Sequence, residues 1–393
     1  MEPDAVHTQN KPFECRVILL GALSAMSDWT DAYIGLGSNL GERAHTLAQA
    51  VECLGRHPGI EVLATSDIRE TAPLGGKDQP TYLNAVVQAR TSMNGERLHA
   101  QLGAIEKSLG RRRGEKWGAR TIDLDLLLFG DQIIARTHLT VPHRQLPMRS
   151  FVLAPLHELA ADLIHPLLHV SIKELLGRLQ GGDFVLDARR PQLISIAGNI
   201  GVGKTTLARR LVDKLSATIL LEPYGDNPFM PDVYAGRKDF ALDSQLHFLV
   251  HRVGQLEVAA LRSGQLYVSD YLYDKEWVYA NRLLDPRQMA LYKHIYGRLS
   301  QSITVPSLLL YLRDSSNRCL ERIRQRNRPY EGGIETAFLD GLGHDYDRLV
   351  AGWSSSPVIC LDGAEFNCLN ETHLERLVEQ IQHYVCVGQD GRD

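Results

Sequence analysis

The chain has 393 residues, of which 44% are hydrophobic and 23% are charged, and its formal net charge is -4. At about 150 residues per domain, this length predicts two or three domains rather than one core. A slightly acidic chain is not expected to bind nucleic acid or an anionic membrane, so its partners should be small molecules. No apolar run approaches the roughly 18 residues of a membrane span. The six cysteines form no CxxC pair, which is typical of a reducing compartment and predicts a cytoplasmic protein.

The first 30 residues are expected to be an unstructured leader, although the apolar stretch 17–26 leaves a signal peptide as the alternative. The pattern after it predicts a strand, a helix, two strands, a helix and a strand. In chain order these are residues 31–36, 41–55, 61–69, 82–91, 96–109 and 123–129. This order is typical of a ferredoxin-like α+β fold, in which helices cover one face of an antiparallel sheet. Residues 145–178 are predicted to add further helical cover.

A change in composition at residues 179–190 predicts a linker between two domains. The first domain is expected to span residues 31–178 and the second residues 191–388. An apolar run at 193–197 leads into a glycine-rich turn and then a helix. Strands and helices alternate from there, which predicts an α/β P-loop domain with a parallel sheet covered on both faces.

Two aspartates, Asp123 and Asp125, lie two residues apart on a predicted strand and should face the same side. Such a pair can hold Mg²⁺ ions that also bind the phosphates of ATP. Arg111, Arg113 and Arg120 precede them, and guanidinium groups are suited to bidentate phosphate contacts. From these residues alone, an edge strand with solvated acids beside a basic loop remains the alternative.

Five motifs that occur in a fixed order decide between these alternatives. They are Tyr33-Ile-Gly-Leu-Gly-Ser-Asn-Leu-Gly41, Thr71-Ala-Pro-Leu-Gly75, Gln79-Pro-Thr-Tyr-Leu-Asn84, Trp117-Gly-Ala-Arg-Thr-Ile-Asp-Leu-Asp125 and Leu139-Thr-Val-Pro-His143. Over residues 31–178 the chain closely resembles 6-hydroxymethyl-7,8-dihydropterin pyrophosphokinase. The resemblance implies transfer of diphosphate from ATP to the pterin hydroxymethyl group, a step of folate biosynthesis, with two Mg²⁺ ions on Asp123 and Asp125.

The same resemblance assigns roles to further residues. Those that would hold the pterin are Thr71, Leu74, Tyr82, Asn84 and Phe151, with Arg149 on the side of the product diphosphate. Those that would hold ATP are Glu106, Arg113, Trp117 and His143, with Arg111 and Arg120 as catalytic arginines. Two positions beside the nucleotide, His138 and Arg144, depart from the residues that many relatives carry.

The second domain opens with Gly198-Asn-Ile-Gly-Val-Gly-Lys-Thr205, which fits G-x-x-x-x-G-K-[ST] between a predicted strand and a helix. Glycines allow successive backbone N–H groups to surround phosphates at a helix N-terminus. The predicted nucleotide-binding residues are Gly198, Gly201, Gly203, Lys204, Thr205 and Thr206, with Thr205 also a Mg²⁺ ligand. A plain glycine-rich turn is the alternative.

Three further features bear on the kind of P-loop protein. They are Leu221-Glu222-Pro223, the strand-end residue Asp270, and the arginine run 322–328, which could also be a solvated helix face. Together with Gln245 and Tyr330-Glu331, they resemble the deoxynucleoside kinase family over residues 191–385. Where many members have Asp-Arg-Ser, however, this chain has Asp270-Tyr271-Leu272.

This second resemblance also implies roles. Glu222 would accept the proton of the 5′-hydroxyl, and Gln245 would hydrogen-bond the edge of the nucleobase. Asp270 would support the metal and the 5′ end, while Arg326 and Arg328 would brace the transferred phosphate.

The preferred hypothesis is therefore a bifunctional enzyme with two ATP- and Mg²⁺-dependent sites for small molecules, which could form a homodimer through the kinase domain. The alternative makes the second domain a non-catalytic nucleotide-sensing or scaffolding module. A GTPase is disfavoured because no Asn-Lys-x-Asp motif is evident.

Overall fold

The computed structural model describes residues 29–74, 79–111 and 118–386. Most of the predicted leader, together with Arg113 and Trp117, lies outside the described residues. The first strand, β1 (Thr30–Ser38), begins one residue before the expected boundary at 31, so Thr30 belongs to the sheet and not to the leader.

An antiparallel sheet is the centre of the N-terminal domain, as predicted. Its main strands lie side by side in the order β2-β4-β1-β5, and a short β3 pairs with β4. The remaining bounds are β2 Ile60–Thr65, β3 Arg69–Thr71, β4 Tyr82–Thr91 and β5 Asp123–Phe129. A hairpin of β6 (Ile134–Arg136) and β7 (Leu139–Val141) follows.

Helices cover both faces of this sheet. On one face, α1 (Arg43–Gly55) and α2 (Gly95–Ser108) contribute leucines such as Leu47 and Leu98 to a buried cluster. On the other face, α3 (Ser150–Ala160) and α4 (Ile172–Arg178) pack through a second cluster. The two clusters take alternate residues of the strands because neighbouring strand side chains point to opposite faces.

A five-stranded parallel sheet forms the centre of the C-terminal domain, which confirms that prediction. Its order is β12-β11-β8-β10-β9, and every neighbouring pair is parallel. The strands are β8 Gln192–Gly198, β9 Thr218–Leu220, β10 Leu266–Ser269, β11 Leu308–Arg313 and β12 Val358–Asp362. All seven residues of β8 are buried, as expected for a central strand covered on both faces.

Eight helices surround or extend this sheet among the described residues. They are α5 Lys204–Leu215, α6 Met230–Tyr234, α7 Ala241–Leu256, α8 Lys275–Leu283, α9 Pro286–Leu299, α10 Ser316–Arg326, α11 Thr336–Ala351 and α12 Glu371–Ile381. None of the helices in the described ranges is both long and apolar enough to cross a membrane.

The two domains are packed together where α4 meets the end of α12. Arg178 is only 5% exposed and donates hydrogen bonds to Tyr384 Oη (3.3 Å) and Gln380 Oε1 (2.7 Å). Between the domains, Phe184 contacts the core clusters of both, and its backbone N–H donates to Met148 O at 2.9 Å. The connecting segment is therefore fixed at Phe184 and is not a free tether.

Candidate active sites

A cavity of about 260 Å³ lies beside the antiparallel sheet, on the face covered by α3. Gly35 and Gly37 of β1 stand opposite Asp125 and Asp123 of β5, and their missing side chains leave room above the two carboxylates. The predicted residues that line this cavity are Thr71, Leu74, Tyr82, Asn84, Arg120, Asp123, Asp125, Arg149 and Phe151. The structure thus brings together residues from four separate segments of the chain.

The carboxylate pair is already surrounded by positive charge. Arg111 lies 2.7 Å from Asp123 Oδ1, and Arg120 donates to Asp123 Oδ2. Burial and the neighbouring Asp125 raise the pKa of Asp123, against the opposing effect of both arginines. Two close, partly buried carboxylates are stabilised by cations, which is the environment that a divalent ion would also satisfy.

The donor set of this site fits Mg²⁺ shared with a substrate. In the part of the chain that the structure describes, no group of three or more His, Cys, Asp or Glu side chains could hold a metal ion. A Mg²⁺ ion that bridges to phosphates, however, needs only one or two carboxylates and takes its other ligands from phosphate and water. Asp123 and Asp125 meet that requirement.

Glu106 lies behind the carboxylate pair, on α2. Its carboxylate accepts a hydrogen bond from the backbone N–H of Leu124 at 2.7 Å and pairs with Arg111. Burial raises the pKa of Glu106, although the bond from Leu124 and the charge of Arg111 oppose this. Because Leu124 stands between the two aspartates, these contacts anchor the strand that carries them.

Polar and aromatic groups surround the opposite end of the cavity. Asn84 Nδ2 donates to Thr71 Oγ1 at 2.8 Å, and the hydroxyl of Tyr82 lies 3.4 Å from Gly118 O. The guanidinium of Arg149 lies 5.6 Å from the ring centre of Phe151. An amide, a phenol and an aromatic ring suit a flat heterocycle with a polar edge.

A larger cleft of about 1580 Å³ runs between the two domains and meets this cavity. This cleft is lined by His138, His143 and Arg144 of the N-terminal domain and by residues 303–307 of the C-terminal domain. Burial lowers the pKa of His143. Leu74, Asp125 and Gln145 line both the cavity and the cleft, so Asp125 stands where the two spaces join.

The glycine-rich loop of the C-terminal domain has the conformation that only glycine adopts without strain. Gly198, Gly201 and Gly203 have φ values of 142°, 77° and 108°. A Cβ on Gly201 would lie 2.5 Å from Cys319 O on α10. The side chain of Lys204 folds back over this loop and donates to Gly198 O and Asn199 O, at 2.9 and 2.8 Å. Burial lowers the pKa of Lys204.

One carboxylate connects the loop to the predicted base. Asp270 Oδ2 accepts from Thr205 Oγ1 at 2.6 Å, while Asp270 Oδ1 accepts from the backbone N–H of Glu222 at 2.9 Å. Thr206 follows as an exposed residue of α5. Thr205, Asp270 and Glu222 are therefore held in one hydrogen-bonded chain, although they come from three segments.

Glu222 is 7% exposed and is held by two buried cations. Arg252 of α7 donates from Nε to Glu222 Oε1 at 3.0 Å, and Lys275 Nζ lies 2.5 Å from the same carboxylate. Burial alone would raise the pKa of Glu222, but Arg252 and Lys275 hold it well below its usual range. Gln245 is 4% exposed and lies two helical turns before Arg252, so both face the same side of α7.

The predicted lid arginines meet at Glu331. Arg326 and Arg328 lie 2.6 and 3.5 Å from its carboxylate, and Arg328 also lies 5.2 Å from the ring centre of Tyr224, two residues after Glu222. Arg322, by contrast, pairs with Asp314 at 2.6 Å. Part of the arginine run thus reaches the site, and part of it binds the protein itself.

Comparisons with known proteins match the two halves separately. The model of the 7,8-dihydro-6-hydroxymethylpterin-pyrophosphokinase family matches residues 33–161, and that of the deoxynucleoside kinase family matches residues 194–386. The first half is similar to a 2-amino-4-hydroxy-6-hydroxymethyldihydropteridine pyrophosphokinase of Haemophilus influenzae, with 42% identity over 34% of this chain and 84% of the relative. A Bacillus subtilis relative with the same name is 47% identical over 34% of this chain and 79% of its own length.

The second half is similar to a deoxyguanosine kinase of Bacillus subtilis. The two are 33% identical over 49% of this chain and 97% of the relative. The chain belongs to both families. It is a fusion of a pyrophosphokinase domain of folate biosynthesis with a deoxynucleoside kinase domain, as both resemblances predicted.

The sequence did not indicate two residues of the kinase domain, Arg252 and Lys275. The position of Arg252, seven residues after Gln245 on a predicted helix, was a usable signal because that spacing places both on one helix face. Lys275 gave no such signal, since its contact with Glu222 depends on how two distant segments pack.

Proposed function

We propose that this chain catalyses two Mg²⁺-dependent transfers from ATP: diphosphate to 6-hydroxymethyl-7,8-dihydropterin, and the γ-phosphoryl group to the 5′-hydroxyl of a deoxynucleoside. The observation that carries the first is the position of Asp125 at the junction of a small aromatic cavity and a large cleft. The second rests on the chain of hydrogen bonds from Thr205 through Asp270 to Glu222.

In the first reaction, the pterin occupies the cavity and the nucleotide lies in the cleft beside His143. The pterin hydroxyl attacks the β-phosphorus of ATP, a new P–O bond forms, and AMP leaves. Asp123 and Asp125 would hold the Mg²⁺ ions, which would supply positive charge to the phosphates. Arg111 and Arg120, now paired with Asp123, exchange that partner for phosphate oxygens. The protein forms no covalent bond to the substrates in this reaction. The rate enhancement therefore comes from positioning the two substrates and from neutralising the charge of the phosphates.

In the second reaction, Glu222 accepts the proton of the 5′-hydroxyl as that oxygen attacks the γ-phosphorus, and ADP leaves. Backbone N–H groups of residues 198–203 and the ammonium of Lys204 surround the phosphates, and Thr205 would hold the Mg²⁺ ion. Arg326 and Arg328 bind the transferred group once they leave Glu331. A buried base with fixed neighbours accepts the proton without first reorganising solvent.

Deoxyguanosine is the nucleoside that we propose as the first substrate to test. The proposal rests on the deoxyguanosine kinase relative, with 33% identity over 97% of that protein. Gln245, buried at the site, is the residue proposed to read the base edge.

The proposal extends to the organisation of the chain. The pyrophosphokinase domain begins at Thr30, one residue before the expected start, and extends to residue 178; a packed connecting segment covers 179–190, and the kinase domain spans 191–388. The strand order β2-β4-β1-β5 with antiparallel pairing supports a ferredoxin-like description of the first domain. We also propose a cytoplasmic location, where ATP is available, and self-association through the kinase domain.

Offering hydroxymethyldihydropterin and each deoxynucleoside separately with Mg-ATP tests both activities. AMP release reports diphosphate transfer, and ADP release reports phosphoryl transfer. We expect AMP with the pterin and ADP with at least deoxyguanosine. A kinase domain that binds nucleosides but phosphorylates none of them would instead be the nucleotide-sensing module.

A further inference from the structure

Position 271 brings no positive charge to the predicted base. The residues after β10 are Asp270-Tyr271-Leu272, so the residue that follows Asp270 is uncharged. The side chain of Tyr271 is fully buried in an apolar cluster, and its hydroxyl donates to Gln255 Oε1 at 2.6 Å. A buried carboxylate such as Glu222 nevertheless needs cationic partners to stay ionised, so they must come from elsewhere.

Two cations supply that charge, and they are not equivalent. Arg252 is shared, because it donates to Glu276 as well as to Glu222. Glu276 in turn accepts from Tyr292, so Arg252 belongs to a fully buried structural network. Lys275 instead has its ammonium 2.5 Å from both carboxylate oxygens of Glu222. Contact with both oxygens fixes the plane of the carboxylate as well as its charge.

The surroundings of Lys275 are arranged to keep this ammonium in place. Its side chain is 2% exposed, and the rings of Tyr224 and Tyr279 each lie 5.6 Å from Nζ. Aromatic faces at this distance attract a cation and exclude water from it. Lys275 is also the first residue of α8 and lies four residues after Tyr271. The short connection from the end of β10 to α8 therefore places it at the site.

We propose that Lys275 is a positioning residue of the kinase reaction, which holds Glu222 ionised and aimed at the 5′-hydroxyl. This inference rests on the proposed kinase function. It assigns Lys275 no contact with the substrate, since it acts through Glu222. Its loss should therefore lower kcat for phosphoryl transfer and leave the binding of both substrates nearly unchanged.

Two substitutions separate the charge of Lys275 from its bulk. Lys275→Met keeps most of the side-chain volume but removes the ammonium, and Lys275→Arg keeps the charge. We expect Lys275→Met to lower kcat about 10²-fold with KM for nucleoside and ATP changed less than about threefold, and Lys275→Arg to restore kcat to within about fivefold of wild type. Lys214→Met is the matched control, because Lys214 pairs with Glu371 and Glu375 on the surface and should leave kcat unchanged.

A pH profile distinguishes positioning from a purely structural role. Burial lowers the pKa of Lys275 to about 8, although Glu222 opposes this. The groups that face it are Glu222, Arg252, Lys204, Tyr224 and Tyr279. The ammonium is lost as the pH rises through about 8, so kinase turnover should fall there in the wild type. In Lys275→Arg this decline should move to higher pH, because arginine stays protonated and Lys204 is unchanged.

The outcomes are separable. Nucleoside binding by the same samples shows that the kinase domain of each variant is folded, and pterin-dependent AMP release shows the same for the N-terminal domain. A wild type without any nucleoside-dependent ADP would overturn the proposed kinase function itself. A wild type that turns over, with Lys275→Met retaining its kcat or losing only affinity, would overturn this inference alone. If Lys275→Met does not fold, the arginine variant decides: an active enzyme with a shifted alkaline limb supports the proposal, and an inactive or unshifted one overturns it.

Discussion

Glu222 is buried and ionised, and its two cationic partners, Arg252 and Lys275, make it a weak base in the resting site. A carboxylate of lowered pKa is a poor proton acceptor until the attacking oxygen itself becomes acidic, which happens late in phosphoryl transfer. As a proposed base, Glu222 therefore depends on its fixed orientation towards the 5′-hydroxyl as much as on its basicity. Under the proposed mechanism, the rate of phosphoryl transfer therefore depends on the few atoms that surround the carboxylate of Glu222.

Replacing Glu222 with glutamine keeps its size but removes the negative charge. We expect Glu222→Gln to lower nucleoside-dependent ADP release about 10²-fold or more, the usual scale of general-base assistance. Binding of ATP and nucleoside, measured by calorimetry, should change little, and pterin-dependent AMP release should be normal. Normal ADP release from the variant would mean that another residue accepts the proton, with Asp270 the first candidate.

The two reactions should also separate by substitution, because their charged residues belong to different domains. Asp125→Asn removes one of the two proposed Mg²⁺ ligands and should reduce AMP release from ATP and pterin to background, with ADP release intact. Lys204→Ala removes the ammonium over the glycine-rich loop and should have the opposite effect. Loss of both activities from either folded variant would contradict two independent sites.

At the scale of elements, the loop between α3 and α4 contains a histidine that must stay neutral. His165 is 1% exposed, and its Nδ1 accepts hydrogen bonds from the backbone N–H groups of Leu167 and Leu168 at 3.3 and 3.2 Å. A proton on Nδ1 would break both. Burial, with His383 and Arg178 nearby, lowers the pKa of His165 to about 3.

Stability should therefore depend on pH in a defined window. The unfolded histidine titrates near its ordinary pKa of about 6.5, so stability from a neutral His165 is full above that pH and is lost as the pH falls towards 3. The loss amounts to about 1.4 kcal/mol per pH unit below 6.5, or about 2 kcal/mol at pH 5. Urea unfolding from pH 7.5 to 5 measures it.

Comparing two histidine variants isolates this contribution. His165→Asn supplies an uncharged acceptor near the same place and should flatten the dependence on pH, whereas His45→Asn, at an exposed site on α1, should leave it as in the wild type. An equal slope in the wild type and in His165→Asn would assign the acid sensitivity to other groups.

At the scale of elements, the sequence predicted the features that depend on contiguous residues better than those that depend on contacts between distant segments. Strands β4 and β5 were predicted with their observed bounds, because each is long enough to show a strand pattern along the chain. β3, β6 and β7 were missed since three residues are too few to show a period. The site residues that lie in contiguous motifs could be predicted, whereas the pairing of Lys275 with Glu222 arises only when segments 53 positions apart fold together.

At the scale of the whole molecule, Arg178 joins the two domains through buried hydrogen bonds. Its guanidinium donates to Tyr384, Gln380 and Glu174, and burial leaves few waters to replace those bonds. We expect Arg178→Ala to lower the free energy of unfolding by about 2–3 kcal/mol. Arg348→Ala removes a 78% exposed partner of Asp345 and should cost less than about 1 kcal/mol.

The activities themselves report whether this junction stabilises both domains. In Arg178→Ala, the temperatures at which AMP release and ADP release are lost should fall together, because the broken contacts belong to both domains. A fall in only one of these temperatures would show that the domains unfold independently and that the junction supports a single partner.

Because the two domains share buried contacts around Phe184 and Arg178, the amounts of the two enzymes in the cell are linked. Two enzymes encoded in one chain are always made in equal numbers, and degradation of the whole chain removes both together. Their relative output then cannot be adjusted through expression or turnover. It must follow from substrate levels and from the rate of each catalyst, so a slow kinase domain cannot be offset by making more of it alone.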